Sequence, residues 1–318
     1  MKNTLSKLIA TSASVLFTSC LFTTSAAAQN SVVVVPLAGD TEYVDVDAFD
    51  RTVVVGGSGT DAENGTALIE ALDLVATATA ADPWLIQVEP GVFDLGDEEL
   101  ALNPYVSLRG SGIGVTTIVG SSIVTGHHTI ELQGGNMLSN LSVSDSSAGS
   151  STGAVVTVGN DVRISHIQVT TTDEDGIRVD NFSDNVIIEQ VFVTAVDRAV
   201  SAQSGNDNIV VRDSVLASSG DNVVNVGNSS SVQIFNSQLT STAATKEIFN
   251  LLSGDLEVGF SKLQSTSTRT ILTPSAGQGN FTIYHSHVDS GAAYSFNGNS
   301  DNCFATTTPV NFFTTACQ

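Results

Sequence analysis

The chain has 318 residues, 33 of them acidic and 11 basic, for a formal charge of −22. That charge repels nucleic acid and anionic membrane surfaces, which excludes both as expected partners. Charged residues make up only 14% and hydrophobic ones 41%, so the chain is no disordered acidic tail and has material for a core.

The chain opens Met1-Lys2-Asn3 with Lys7, runs apolar from Leu8 to Phe22, and reaches Ala26-Ala27-Ala28 before Gln29. A positive start, a short apolar stretch and a small-residue end predict a secretory signal peptide over residues 1–28. The run is too short and too rich in Ser and Thr for a membrane span. Secretion, or a periplasmic or cell-surface location, is the expectation. Cys20, after Phe17-Thr18-Ser19, loosely resembles a bacterial lipoprotein box. Phe17 in place of the usual Leu, and Leu21-Phe22 after the cysteine, favour plain export over a lipid anchor. Without the leader, Cys303 and Cys317 are the only cysteines, and an even pair in an exported protein predicts one disulfide closing the tail, residues 291–318.

Residues 29–60 read as an N-terminal strand segment, with Val32–Val35 and Val53–Val55 as β-rich pieces on either side of an acidic stretch. From Asn64 to Ala76, Leu68, Ala71, Leu72 and Val75 fall at three- and four-residue spacing. This predicts a short amphipathic helix with Asn64 or Thr66 as its N-cap. Trp84–Glu89 reads as a strand and Pro90-Gly91 as its turn. Val106–Leu108 and Thr117–Val119 follow as strands, with Gly110, Gly112 and Gly114 forming a corner between them.

From residue 138 an apolar cadence recurs. It reads Val162-x-Ile164-x-x-Ile167-x-Val169, then Val186-x-Ile188-x-x-Val191-x-Val193, then Ile209-x-Val211-x-x-Ser214-x-Leu216. Copies follow from Val232, Leu256 and Phe281, and a degenerate one sits at Leu138-x-x-Leu141-x-Val143. The period is 23 to 25 residues with two-residue alternation inside it. Such a pattern means one β-coil per repeat, each stacked on the next to share a core. Two positions beyond the central aliphatic residue lie Asn140, His166, Gln190, Asp213, Asn236, Phe260 and His285. The coil must turn there, and Asn, Asp and His are enriched in the left-handed conformation such a turn uses. His166 and His285 are therefore expected to be turn residues rather than ligands.

The text Ile86-x-Val88-x-Pro90-Gly91-Val92-Phe93, then Val106-x-Leu108-x-Gly110-x-Gly112 and Thr117-Ile118, resembles the opening coils of the pectin-lyase-like superfamily. The likeness covers about residues 60–290. It implies an all-β fold, a right-handed parallel β-helix over 61–290 with the helix as an N-terminal cap. It does not imply one activity, because that superfamily holds lyases, hydrolases, esterases, epimerases and adhesins.

Three consecutive coils carry acids ahead of an inward-pointing strand: Asp173-Glu174-Asp175-Gly176-Ile177, Val196-Asp197-Arg198-Ala199-Val200 and Ser219-Gly220-Asp221-Asn222-Val223. Counting back three from Ile177, Val200 and Val224 aligns Glu174, Asp197 and Asp221. Stacked coils repeat at about 4.8 Å, which puts neighbouring carboxylates about 5 Å apart and the outer pair about 10 Å. Those separations bracket what retaining and inverting glycosidases use, and close like charges raise one pKa as a general acid requires. The segment resembles the catalytic coils of polygalacturonase-like glycoside hydrolases at Asp175-Gly176 and at Asp197. It departs from them in keeping one of two paired acids, in placing Ser219-Gly220-Asp221 where a histidine motif falls, and in lacking Arg-Ile-Lys.

Four readings stand at this stage. The acids are solvated turn residues, with Gly176 and Asn222 supplying backbone freedom. Alternatively, Asp175, Asp197 and Asp221 ligate calcium, whose hard oxygen preference suits a rigid carboxylate ladder. In a hydrolase, Glu174, Asp175, Asp197 and Asp221 are the catalytic groups; in a lyase, Arg178 neutralises or abstracts. The main expectation is a non-catalytic or vestigial module binding polysaccharide or a cell-surface component; a uronan-active hydrolase or lyase is the alternative.

Other groupings are read as follows. His127-His128 with Glu131 has metal-capable types but reads as an exposed loop pair, and Asp94, Asp97, Glu98 and Glu99 as a solvated acidic loop. Ile187 with Val210, and Phe192 with Val215, form outward columns that would serve as an oligomer interface unless the tail, with Phe296, Phe304, Phe312 and Phe313, folds over them.

Overall fold

The computed structural model describes residues 32–36, 51–121, 124, 126–146, 153–266, 272–274, 279–290, 300–304, 306–307 and 312–313. The leader over 1–28, Cys20, Phe296 and Cys317 lie outside the described residues, as do the side chains of Cys303, Phe304, Phe312 and Phe313.

The chain winds as a parallel β-solenoid whose strands stack in three ladders. In the first, Leu138, Ile164, Ile188, Val211, Ile234, Val258 and Ile283 stand opposite one another coil after coil. The second aligns Val143, Val169, Val193, Leu216, Leu239, Leu263 and Val288. An eight-stranded third ladder aligns Leu100, Ile130, Val155, Ile177, Val200, Val224, Phe249 and Leu272. The recurring aliphatic positions of the first two ladders are thus the inward faces of successive coils, and they form one continuous core. Each fully buried aliphatic side chain contributes about 1.5–3 kcal/mol, and stacking is what makes that burial available to a coil that cannot bury its own face.

The corner between the first two ladders is built as expected. Asn140, His166, Gln190, Asp213, Asn236, Phe260 and His285 all have φ between 48° and 55°. A left-handed non-glycine residue costs about 1–2 kcal/mol. Lateral hydrogen bonds offset it: the N–H groups of Gln190, Asp213, Asn236 and Phe260 each donate to a carbonyl of the next coil at 3.1 Å. Beside this column runs a ladder of buried serines. The Ser214, Ser237 and Ser261 hydroxyls donate to carbonyls two residues back at 2.7–2.8 Å. They accept from Val191 N, Ser214 N and Ser237 N of the preceding coil at 3.2–3.3 Å.

The helix spans Asp61–Leu74, and its N-cap is Thr60, not Asn64 or Thr66. Thr60 and Glu63 form a reciprocal capping box: Thr60 N donates to the Glu63 carboxylate at 2.9 Å and Glu63 N to Thr60 Oγ1 at 3.3 Å. The apolar periodicity misses this start because the first turn is acidic, which the helix dipole favours. Asn64 is instead buried within the helix, where its amide takes Gly59 N and donates to Val92 O, both at 2.9 Å. Gly65 allows the close approach, since a Cβ there would lie 1.9 Å from the Asp94 carbonyl oxygen.

Pro90-Gly91 leads directly into a strand, Gly91–Asp94, that begins the second ladder. Both ends of the large sheet reverse direction. Val32–Pro36 pairs antiparallel with Arg51–Val55, which is itself parallel to Trp84–Val88. At the far end Ser300–Phe304 and Thr306–Thr307 continue the first two ladders, and Phe312–Phe313 runs antiparallel to the latter. The described tail strands therefore extend the ladders past residue 290.

Candidate functional site

The acidic coils converge at the entrance to the third ladder, where Ile177, Val200 and Val224 share one register. Their acids do not behave alike. Glu174 is fully buried and Asp175 is only 3% exposed, while Asp197 and Asp221 are half-buried and Asp173 is exposed.

Arg198 is the hub, a residue that sequence reasoning quoted without assigning it a role. Its backbone N–H donates to Asp175 Oδ1 at 3.1 Å, and its guanidinium lies 3.6 Å from Asp175 Oδ2 and 3.1 Å from Asp221 Oδ2. Lys246, from the next coil, reaches Asp221 Oδ1 at 2.8 Å, and Asn222 N donates to that oxygen at 2.9 Å. Both oxygens of Asp221 are thus engaged by cations. The alternation of acids and bases, Asp175–Arg198–Asp221–Lys246, follows from their stacking on successive coils.

Electrostatics separate the three aspartates. Burial pushes the Asp175 carboxyl up to about 6, against the pull of Arg198 and with the added push of Asp197. Burial also raises Asp197, opposed by Arg198 and reinforced by the negative charges of Asp221 and Asp173. At Asp221 burial acts upward but is outweighed by the Lys246 hydrogen bond, the Asn222 N–H and the charge of Arg198, so that carboxyl titrates below the ordinary range.

Gly176 and Asn222 play different parts from those expected. Neither has a positive φ. Gly176 is needed for space: a Cβ there would sit 2.3 Å from Val193 Cγ1 and 2.9 Å from Ala199 O. The Asn222 amide donates to Glu247 O at 2.9 Å and to its carboxylate at 3.3 Å.

Arg178 stands apart from this hub, pairing with Asp180 at 3.1 Å. It belongs to an outward column of the third ladder that runs Glu131, Val156, Arg178, Ser201, Asn225, Asn250. Asn250 Nδ2 donates to Asn225 Oδ1 at 2.7 Å, so these amides chain from coil to coil. At the low-numbered end of the column lie Glu99, His128 and Glu131, all half-buried rather than exposed. Among the described residues these three form the group whose metal-capable atoms all lie within 4.8 Å of one another; the three aspartates do not form such a group.

On the first ladder, Glu189 accepts from the Nε of Arg163 and of Arg212, both at 2.7 Å, joining three coils by their outer faces. The outward apolar columns stand in the expected register, Ile187 opposite Val210 and Phe192 opposite Val215. Phe192 is 52% and Val215 36% exposed, and with Ile113, Gln168 and Ala217 they line a shallow groove.

No family model and no curated protein matches the chain. Among solved structures, ORF18 of Geobacillus virus E2 superposes over 81% of this chain and 62% of its own length, with a TM-score of 0.53 at 9% identity. This chain shares a parallel β-helix fold with that viral protein. The β-helix matches less than two thirds of that viral protein's length. Two further β-helices superpose more loosely. The Azotobacter vinelandii mannuronan C-5 epimerase AlgE6 A-module gives a TM-score of 0.38 at 12% identity over 78% of this chain and 96% of its own. Tailspike gp49 from Acinetobacter baumannii bacteriophage Fri1, a capsular polysaccharide depolymerase, gives 0.44 at 10% over 79% and 61%. At such identities the likeness concerns the fold alone. Among the described residues no helix is long and apolar enough to cross a membrane.

Proposed function

We propose that this β-helix is an exported module that holds polysaccharide along the outward face of its third ladder without cleaving it. The observation that carries this reading is the engagement of the acids by cations of the chain itself. Asp175 is buried against Arg198, and both oxygens of Asp221 are held by Arg198 and Lys246. A nucleophile or general base needs a free carboxylate oxygen within reach of substrate, and neither residue offers one. The same cations neutralise the site, so we do not place calcium on Asp175, Asp197 and Asp221. The face itself suits a neutral glycan better than a uronan: Gln203 and Asn250, both half-buried, offer amide groups there above the buried Ser201 and Asn225, while the net charge of −22 opposes polyanions.

A screen of the purified protein against neutral and acidic glycans tests this directly. Retention on at least one glycan, weakened by Asn250→Ala and accompanied by no product release, is the expected result. Absence of binding across the panel overturns it.

A second reading has one observation in its favour. Asp197 is pushed up while Asp221 is pulled down, the split of an acid and an ionised partner. As a hydrolase, the protein would lose turnover in Asp197→Asn with an unchanged melting temperature, and a wild type inactive on every glycan discards that reading. In the same proposal the helix over Asp61–Leu74 closes the N-terminal end of the solenoid, and Cys303 and Cys317 form a disulfide, which titration of free thiols in the denatured protein checks.

A further inference from the structure

The sequence presents His127, His128 and Glu131 together, and the fold adds Glu99 from the coil before. We infer that Glu99, His128 and Glu131 form a binding site for a divalent transition-metal ion, of which zinc is the reference case. The three side chains offer two carboxylate oxygens and one imidazole nitrogen, all within 4.8 Å of one another, a spread that a single ion can bridge. Hard oxygen-only sites suit calcium, magnesium or manganese; an imidazole in a three-residue set shifts the preference towards zinc, copper, iron or nickel.

A second observation points the same way. The Nδ1 atom of His128 is buried and makes no hydrogen bond. A buried polar atom without a partner costs about 1–3 kcal/mol, and ligation of the ring offsets that loss. Neither carboxylate is paired with a lysine or arginine among the described residues, in contrast to Asp175, which has one such partner, and to Asp221 and Glu189, which have two each. Gln133 Nε2 lies 3.4 Å from Glu131 Oε1, a neutral partner of the kind that orients a ligating carboxylate.

The scaffold is rigid where a metal site needs it to be. Glu131 stands in the strand Ile130–Leu132, and Glu99 immediately precedes its parallel neighbour Leu100–Leu102. Leu100 N donates to Thr129 O at 3.1 Å, which ties the two ligand-bearing segments together beside His128. His127 Nδ1 lies 3.2 Å from Asp97 O, and His128 is the histidine whose ring joins the two carboxylates in the group. Three protein ligands leave coordination positions for water or for a hydroxyl of a ligand, and Arg178 and Glu131 share one outward column of the third ladder.

The experiment is a titration of tag-free, metal-stripped protein with zinc by calorimetry, and with cobalt by visible absorption. One equivalent of zinc binding, cobalt bands that zinc displaces, and loss of both in His128→Ala and Glu131→Gln are expected, with His127→Ala binding as the wild type does. Circular dichroism of each variant confirms that it is folded. No binding by folded wild type, or binding unchanged in both His128→Ala and Glu131→Gln, overturns the assignment. Neither outcome depends on whether a glycan is bound or cleaved.

Discussion

Replacing Asp175 by asparagine separates charge from shape at the most buried aspartate of the acidic coils. In the folded chain its pKa stands at about 6, against an ordinary 3.8, because burial disfavours the anion more than Arg198 favours it. A carboxyl raised on folding binds protons more tightly in the native state. Its stabilising contribution is therefore fully present below about pH 4 and is lost as pH rises through about 6. The rise from 3.8 to about 6 corresponds to about 3 kcal/mol, and at 3% exposure solvent does little to screen it. The amide keeps the volume and can still accept the Arg198 backbone N–H, but carries no proton to lose. Relative to the Asp175→Asn variant, the wild type should thus lose about 3 kcal/mol between about pH 3.5 and pH 7.5, most of it between about pH 4 and 6. Urea unfolding of both proteins across that range, compared as a difference so that all other titrations cancel, measures it. A difference that stays flat, or one that grows in favour of the wild type as pH rises, refutes the reasoning.

Two further outcomes follow from the outer faces and corners. Glu189→Ala removes hydrogen bonds to two arginines and should cost about 1.5–3 kcal/mol, the lower figure applying because both arginines can return to water. Raising salt should shrink the gap between the urea midpoints of this variant and the wild type, and a gap that widens would count against an ionic origin. Ser237→Ala takes from Ser214 N its partner in the next coil and should lower stability by about 1–3 kcal/mol despite its small volume change. Amide exchange would show whether Ser214 N–H opens first, and equal protection in both proteins would contradict the proposed role.

The solenoid was legible in the sequence because its core obeys a rule with period two inside a period near two dozen. Ile164, Ile188 and Val211 announce their own register, and the left-handed column from Asn140 to His285 could be read from position alone. The third ladder was harder to see. Its strands are as short as Val200–Ala202, and its outward positions, such as Ser201 and Asn225, are too mixed to show alternation. The helix start was hidden by its acidic first turn, since Thr60 caps by hydrogen bonds that hydrophobic spacing does not encode.

The candidate sites show the same divide. Residue types and rough register were available: Asp197 and Asp221 do lie on successive coils with Asp175 close by. Which acid is buried, and which cation holds it, depends on the direction of long side chains across the stack, so Arg198 had no assigned role and Lys246 passed unnoticed. Glu99 and His128 are separated by nearly a full coil in the chain. Only the parallel pairing of Leu100 with Ile130 brings that glutamate to the histidine, and no local pattern signals it.

Both termini of the large sheet reverse strand direction, with Val32–Pro36 at one end and Phe312–Phe313 at the other. A stack of parallel rungs is otherwise a template that another molecule could prolong indefinitely, adding identical rungs as a fibril does. A rung laid in the opposite sense presents its donors and acceptors in the wrong order for that growth. The reversed rungs thus break the parallel repeat at one end of the first ladder and at the opposite end of the second.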